Sequence, residues 1–204
     1  MKKVVILDTG CFNLTSLVSA VKRLGVEPCV TSLPSEAAAA DRLFLPGVGT
    51  ASAAMRELQK RGLIECILSA RCPVLGICLG MQFLGSESAE TGGVKMLGVI
   101  PGKVAKLNVG QLTLPHMGWN QVKATVCDPL FKGFDCIRGE YFYFVHSYAY
   151  AVSDCTIAET TYGETFSAAV RCKNFWGVQF HPERSGAAGA KLLRNFIEGC
   201  DETV

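Results

Sequence analysis

Cys72-Pro73-Val74-Leu75-Gly76-Ile77-Cys78-Leu79-Gly80-Met81-Gln82 reads as an apolar strand stopped by a tight turn of the form Gly-x-Cys-x-Gly. That pattern predicts a nucleophile elbow, in which a strand passes sharply into a helix and lifts one side chain above the sheet. Gly76 and Gly80 at its flanks tolerate close backbone approach and a strained turn. A buried thiol at a strand end is the plainer reading of any one cysteine, because free cysteines are mostly buried. A base able to serve the thiol decides between the two.

That base stands about a hundred residues on. Trp176-Gly177-Val178-Gln179-Phe180-His181-Pro182-Glu183 reads as a strand ending in His181 and Glu183. Positions i and i+2 of an extended segment share a face, and Pro182 disfavours a helical conformation at His181. Imidazole and carboxylate are therefore expected side by side, and with Cys78 they compose a Cys-His-Glu triad.

The first half alternates strand and helix, which predicts α/β architecture, a mostly parallel open sheet with helices on both faces. Strands are expected at Val4–Asp8, Pro28–Thr31, Leu43–Leu45 and Val74–Cys78. Leu14, Leu17, Val18, Val21 and Leu24 recur with helical spacing up to Gly25, and further helices are read at Met55–Leu58 and Leu63–Leu68, with Ala37–Ala40 as ordinary helix. From Val99 to Val178 short β-rich stretches take over, at Leu112–Leu114, Tyr141–Val145, Ala168–Cys172 and Phe175–Phe180. Ala187–Ile197 supplies a closing helix. An antiparallel extension on a parallel core fits this order. In such sheets ligands bind beyond the carboxyl ends of the strands, where the Pro46–Gly49 loop, Cys78 and His181 can meet.

With 204 residues, 49% hydrophobic and 19% charged, the chain is expected to fold as one domain, 1–204, with a sizeable core. A net charge of +2 without a basic run argues against nucleic acid, and no apolar stretch reaches membrane-spanning length. An acid at Asp8 comes too early for a signal peptide. The ten cysteines contain no Cys-x-x-Cys and fit no zinc spacing, so reduced thiols and a cytoplasmic location are expected, with no metal or cofactor. Asp8-Thr9-Gly10 occurs once and lacks the second carboxylate of an aspartic protease, leaving Asp8 as a turn-shaping strand-end acid. Gly47-Val48-Gly49-Thr50 lacks the lysine of a phosphate loop. His116 and His146 have no carboxylate at i+2 and read as packed structural residues.

The elbow Gly76–Gln82 and the segment Gly177–Glu183 resemble the two signature motifs of the class I glutamine amidotransferases, and the likeness runs from the first strand to the last helix. Pro115-His116-Met117-Gly118-Trp119-Asn120 and Tyr143-Phe144-Val145-His146-Ser147-Tyr148 are similar to the glutaminase subunits of imidazole glycerol phosphate synthases. The resemblance implies glutamine hydrolysis to glutamate and ammonia by Cys78, His181 and Glu183. It gives the oxyanion backbone amides at Leu79 and in the loop of Val48 and Gly49, and the glutamine contacts at Gly49, Gln82, Ser147 and Tyr148. It also implies a heterodimer with a (β/α)8-barrel cyclase that uses the ammonia to make imidazole glycerol phosphate and an aminoimidazole carboxamide ribotide in histidine biosynthesis. Asn13, Met117, Trp119, Asn120, Tyr143 and Arg184 match the docking surface.

Two departures stand out against the family's Asp-Tyr-Gly-x-Gly-Asn loop. Thr9 replaces the tyrosine and Phe12 the second glycine, both expected near the partner rather than the triad. A glutaminase for an anthranilate- or aminodeoxychorismate-type synthase, or for a sugar-modifying one, is the rival reading. Ser147-Tyr148 counts against the first two, where leucine usually follows the serine. A binding module with a relict triad is the rival from another class.

Overall fold

A computed structural model describes residues 2–10 and 14–201. Its first part alternates β1 (Val4–Leu7), α1 (Thr15–Arg23), β2 (Cys29–Thr31), α2 (Pro34–Ala38), β3 (Arg42–Gly47), α3 (Ala51–Lys60), α4 (Leu63–Leu68), β4 (Val74–Cys78) and α5 (Leu79–Phe83). Strands then dominate: β5 (Glu87–Ser88), β6 (Val94–Lys95), β7 (Lys103–Lys106), β8 (His116–Ala124), β9 (Glu140–His146), β10 (Tyr148–Tyr150), β11 (Thr156–Tyr162), β12 (Glu164–Cys172) and β13 (Phe175–Val178). Helix α6 (Gly186–Gly199) follows.

One sheet of nine strands runs β2-β1-β3-β4-β13-β12-β11-β8-β9. Its first five strands pair in parallel, and the rest extend it antiparallel. The expected parallel core with an antiparallel extension is what forms. A second sheet of four strands, β10-β7-β5-β6, was not foreseen. Leu112–Leu114, expected as a strand, instead belongs to turns and bends before β8, and β13 stops at Val178 rather than Phe180. In the first case no neighbouring strand pairs with the three leucine-flanked residues, and Tyr162 Oη donates to the Thr113 carbonyl instead.

The parallel strands are covered on both faces, which is why they read as continuous apolar runs. Val4 and Ile6 of β1 enter one core while Val5 and Leu7 enter the other, as period-two alternation demands. Helices α1 and α6 pack on the first core through Leu17, Val21, Leu192, Leu193 and Phe196. Each such side chain contributes roughly 1.5–3 kcal/mol on burial. Phe196 meets Phe44 of β3 edge-on at 4.9 Å between ring centroids. Helices α3 and α4 supply Ala54, Leu58, Leu63 and Ile67 to the second core.

Two features of this frame place the site. Strand β13 inserts beside β4 in parallel register, Val178 opposite Ile77, so chain ends a hundred residues apart in sequence emerge as neighbours. The turn from β4 into α5 is then pressed against β3. A Cβ on Gly80 would sit 1.7 Å from the Leu45 carbonyl oxygen, and one on Gly76 would sit 2.5 Å from the Gly80 oxygen. The obstructing atoms are backbone, which cannot swing aside. Gly80→Ala is therefore expected to lose about 3 kcal/mol or more of folding stability, or to fail to fold. Urea unfolding of parent and variant checks this, and an unchanged midpoint would refute the close-approach argument.

Candidate active site

Cys78 ends β4 with φ 54° and ψ −113°, a conformation that non-glycine residues rarely adopt. The elbow holds the thiol in a buried position, 7% exposed, at the mouth of the sheet. Its Sγ lies 3.9 Å from the Val145 carbonyl oxygen and 3.8 Å from Gln179 Nε2.

His181 and Glu183 meet as expected, Nδ1 to Oε1 at 2.8 Å, but not for the expected reason. Only His181 is extended, with φ −103° and ψ 94°; Pro182–Arg184 then form a 3₁₀ turn. The proline opens that turn, so curvature, not a continued strand, folds the carboxylate back under the ring. Because a carboxylate accepts, Nδ1 carries the proton of this bond and Nε2 is left for the cysteine side. Both Nε2 and Glu183 Oε2 are buried without a hydrogen-bond partner. Burial alone would lower the imidazole pKa, but interaction with Cys78 and Glu183 outweighs it and raises the value above the usual 6.5. A ring in this setting can hold a second proton.

The backbone of His181 is clamped on two sides. Its N–H donates to the Tyr143 carbonyl (2.8 Å), and its own carbonyl accepts from the Ser185 hydroxyl (2.6 Å). The same hydroxyl oxygen accepts from the Tyr143 N–H at 3.0 Å. Ser185 is 2% exposed and played no part in the sequence reading, where a serine after Arg184 gives no signal.

A cavity of about 470 Å³ opens over these groups, lined by Val48, Gly49, Cys78, Leu79, Gln82, Ser147, Tyr148, His181, Glu183 and Arg184 among others. All the residues expected for the triad, oxyanion and glutamine contacts therefore come together. Leu79 is the first residue of α5, so its N–H has no partner within the helix. Gln82 gives both amide hydrogens to the protein, one to the Tyr148 carbonyl (2.8 Å) and one to Gln179 Oε1 (3.0 Å).

Glu90 also lines the cavity and was missed, because no motif surrounds it. Its carboxylate accepts from the Ala51 N–H at 2.5 Å, where α3 begins after the Val48–Gly49 loop. Thr9 corrects the placement inferred from the resemblance. It is fully buried rather than on an outer face, and its hydroxyl donates to the Pro46 carbonyl at 3.4 Å, just before the Val48–Gly49 loop. Phe12 and Asn13 lie outside the described residues. Asp8 shapes its turn as expected, accepting from the Gly10 N–H at 2.9 Å.

Of the expected docking residues, Met117 and Trp119 are exposed by 62% and 56%, and Trp119 meets Tyr143 edge-on at 6.1 Å. Arg184 is exposed at the cavity rim. Asn120 instead turns its amide inward, donating to the Thr161 carbonyl at 2.9 Å and lying 3.3 Å from His116 Nε2. His116 and His146 are buried and hydrogen-bonded, as the structural reading of them held. No two of the described cysteines are bridged to each other, and no group of three or more His, Cys, Asp or Glu side chains among the described residues could hold a metal. None of the described helices is long and apolar enough to cross a membrane.

A strained cysteine at a strand–helix elbow, a buried histidine and carboxylate just beyond the end of the next parallel strand, and a cavity above them define a thiol-dependent acyl-transfer fold. The chain belongs to the class I glutamine amidotransferase family, whose model matches residues 5–200. It is 57% identical over 195 residues to "Imidazole glycerol phosphate synthase subunit HisH" of Escherichia coli (strain K12), spanning 96% of this chain and 98% of that one. The subunit HisH 1 of Vibrio vulnificus (strain YJ016) is 54% identical over 202 residues, with coverage of 97% and 98%. Among solved structures, a glutamine amidotransferase superposes with TM-score 0.73 at 18% identity, covering 96% of this chain and 97% of that one. The glutaminase domain of Trypanosoma brucei CTPS with bound acivicin gives 0.61 at 15% identity, covering 97% and 94%. These two likenesses concern the fold.

Ser185→Ala removes the hydroxyl that bridges Tyr143 and His181 and takes the partner from a part-buried N–H. We expect a loss of about 1–3 kcal/mol, read as a lower urea midpoint at constant slope. A midpoint equal to the parent's would show that the bridge carries no net stability.

Proposed function

We propose that the whole chain is one glutaminase domain, the ammonia-producing subunit of an imidazole glycerol phosphate synthase. The observation that carries this reading is the buried Cys78–His181–Glu183 constellation at the floor of the cavity. In the proposed reaction His181 Nε2 takes the Cys78 proton and the sulfur attacks the side-chain carboxamide of glutamine. The tetrahedral oxyanion is met by the Leu79 amide and an amide of the Val48–Gly49 loop, donors worth ~2.7–4 kcal/mol each in comparable sites. Collapse breaks the C–N bond, with His181 returning its proton to the departing ammonia, and leaves a thioester on Cys78. Water, deprotonated by His181, then cleaves the thioester to glutamate and free thiol. Glu183 orients the ring and stabilises its charged form.

The amino-acid end of the substrate is assigned to Gln82, Gly49 and the Ser147–Tyr148 backbone. Glu90 is the cavity carboxylate not already paired with His181, which makes it the counter-charge for the substrate's α-ammonium. A cavity of about 470 Å³ accommodates a molecule of this size.

Ammonia released into neutral water becomes ammonium, which is no nucleophile, so the reading requires a partner that receives it under shelter. Met117 and Trp119 of β8 and Tyr141 and Tyr143 of β9 lie on one outer face, paired Trp119 to Tyr143 and Gln121 to Tyr141. With Arg184 at the rim, this face is the proposed dock for a (β/α)8-barrel cyclase that makes imidazole glycerol phosphate and the carboxamide ribotide. A cytoplasmic location, where thiols such as Cys78 stay reduced, suits this chemistry.

Cys78→Ser is expected to abolish glutamine-dependent synthesis by the complex while ammonia-dependent synthesis persists, because a serine hydroxyl is a far weaker nucleophile than a thiol served by a base. Equal loss of both activities in an assembled complex would reject the role of Cys78. Glu90→Gln tests the ammonium contact. Loss of one charge-assisted contact, about 1.5–3 kcal/mol, should raise KM for glutamine by roughly ten- to a hundred-fold with little change in kcat. Steady-state glutaminase kinetics decide it, and a KM within twofold of the parent's would remove Glu90 from the site.

A further inference from the structure

From His146 in the pocket wall a chain of polar contacts, to which the proposed chemistry assigns no work, runs into the protein. Asn120 Nδ2 is 3.3 Å from His116 Nε2, His116 Nδ1 is 3.0 Å from His146 Nε2, and His146 Nδ1 is 2.9 Å from the Tyr148 carbonyl oxygen. Both rings are buried, His116 by 97% and His146 by 94% on exposures of 3% and 6%. His116 is sandwiched between Phe144 and Tyr162, with centroids 4.8 and 4.1 Å away.

Every proton in this chain can be placed. A carbonyl only accepts, so His146 Nδ1 carries hydrogen. At the other end Asn120 Oδ1 accepts from the Gln121 N–H at 2.8 Å and its Nδ2 donates to the Thr161 carbonyl, which fixes the amide's orientation. Asn120 therefore presents an N–H to His116 Nε2, which must be bare. The one hydrogen between the rings then belongs to His116 Nδ1, and His146 Nε2 accepts it. A second proton on either ring would set two donors face to face. Burial agrees, lowering the pKa of His116 to about 4 and that of His146 to about 3.

We propose that Asn120, His116 and His146 form a positioning relay of two neutral Nδ1–H imidazoles that holds the Tyr148 carbonyl, and with it the glutamine-binding wall, in place. The inference deepens the glutaminase reading and rests on it for the identity of the ligand. The Tyr148 carbonyl accepts from both His146 and Gln82, so it is fixed from two directions. Ser147 and Tyr148, between the ends of this grip, line the cavity. His146 also lies close enough to His181 for their charges to repel, and a neutral His146 leaves His181 free to take up its proton. His116, His146 and Asn120 are positioning residues, since none has to touch the reacting atoms.

The chain has three histidines, so the six ring nitrogens of the ¹⁵N-labelled full chain can be assigned by long-range ¹H–¹⁵N correlation. At pH 7 both His116 and His146 are expected as neutral Nδ1–H tautomers. Nε2–H on either ring, or a charged ring, overturns the relay whatever the activity. His116→Leu keeps the bulk between Phe144 and Tyr162 but gives His146 Nε2 no donor. KM for glutamine should rise about tenfold with kcat within about twofold. His116→Asn places an amide N–H where Nδ1 stood and should recover most of the lost affinity. An unchanged KM in folded His116→Leu, or an equal defect in the asparagine variant, overturns the positioning role. If His116→Leu does not fold, the asparagine variant and the parent's tautomers still decide. A parent that never hydrolyses glutamine, alone or with its synthase partner, instead overturns the glutaminase reading, while the tautomers judge the relay separately.

Discussion

The structure depends on one pairing, β13 lying parallel to β4 with Val178 opposite Ile77. Everything chemical follows from it. Parallel neighbours release their chains at the same edge of the sheet, so Cys78 and the residues leading to His181 are delivered side by side although a hundred residues separate them. A parallel neighbour cannot come from a hairpin, so the chain must leave and return. Here it returns by way of β5 to β12, and that long excursion builds both the antiparallel extension and the small second sheet.

The same pairing explains why the elbow must be tight. With β3 on one side of β4 and β13 on the other, the turn into α5 has no lateral room. Gly80 lies on the Leu45 carbonyl, and the strain of the turn is concentrated at Cys78, the one residue whose side chain must project. Such a conformation persists only where the surroundings over-determine it. The two cores supply that constraint, since α5 is buried at every one of its positions.

How much of this was legible in the residues follows from the range of each interaction. The elbow, the closing helix and the parallel core were readable because glycine spacing, 3.6-residue periodicity and doubly buried apolar runs are local signals. The adjacency of His181 and Glu183 was also readable, though through the wrong conformation, because a proline after an extended residue can equally open a 3₁₀ turn. Leu112–Leu114 looked like a strand because apolar residues alternate there, but no strand was available to pair with it. Strands β5 and β6, of two residues each, are too short to carry a period, so the second sheet left no trace. Glu90, Ser185 and the inward turn of Asn120 depend on partners far away in sequence, and no spacing rule encodes those.

The pocket itself is divided along the line where the two sheets part. Strand β9 ends in the large sheet at His146, β10 begins in the small sheet at Tyr148, and Ser147 is the single residue between them. One wall of the cavity is therefore the rigid edge of the parallel core, carrying the elbow and His181. Another wall is the junction, where Ser147 alone belongs to neither sheet. Sheet hydrogen bonding secures the first wall, but at the junction the ladder is interrupted and side chains must take over. Gln82 and His146 fill that role at the Tyr148 carbonyl, and the Ser147 carbonyl is held by the Leu107 N–H at 3.0 Å. In the proposed reading, chemistry and recognition are thus supported by different means, backbone pairing for the one and buried polar side chains for the other. A change at the junction can alter how the substrate is held without disturbing the strand pairing that brings the thiol to its base.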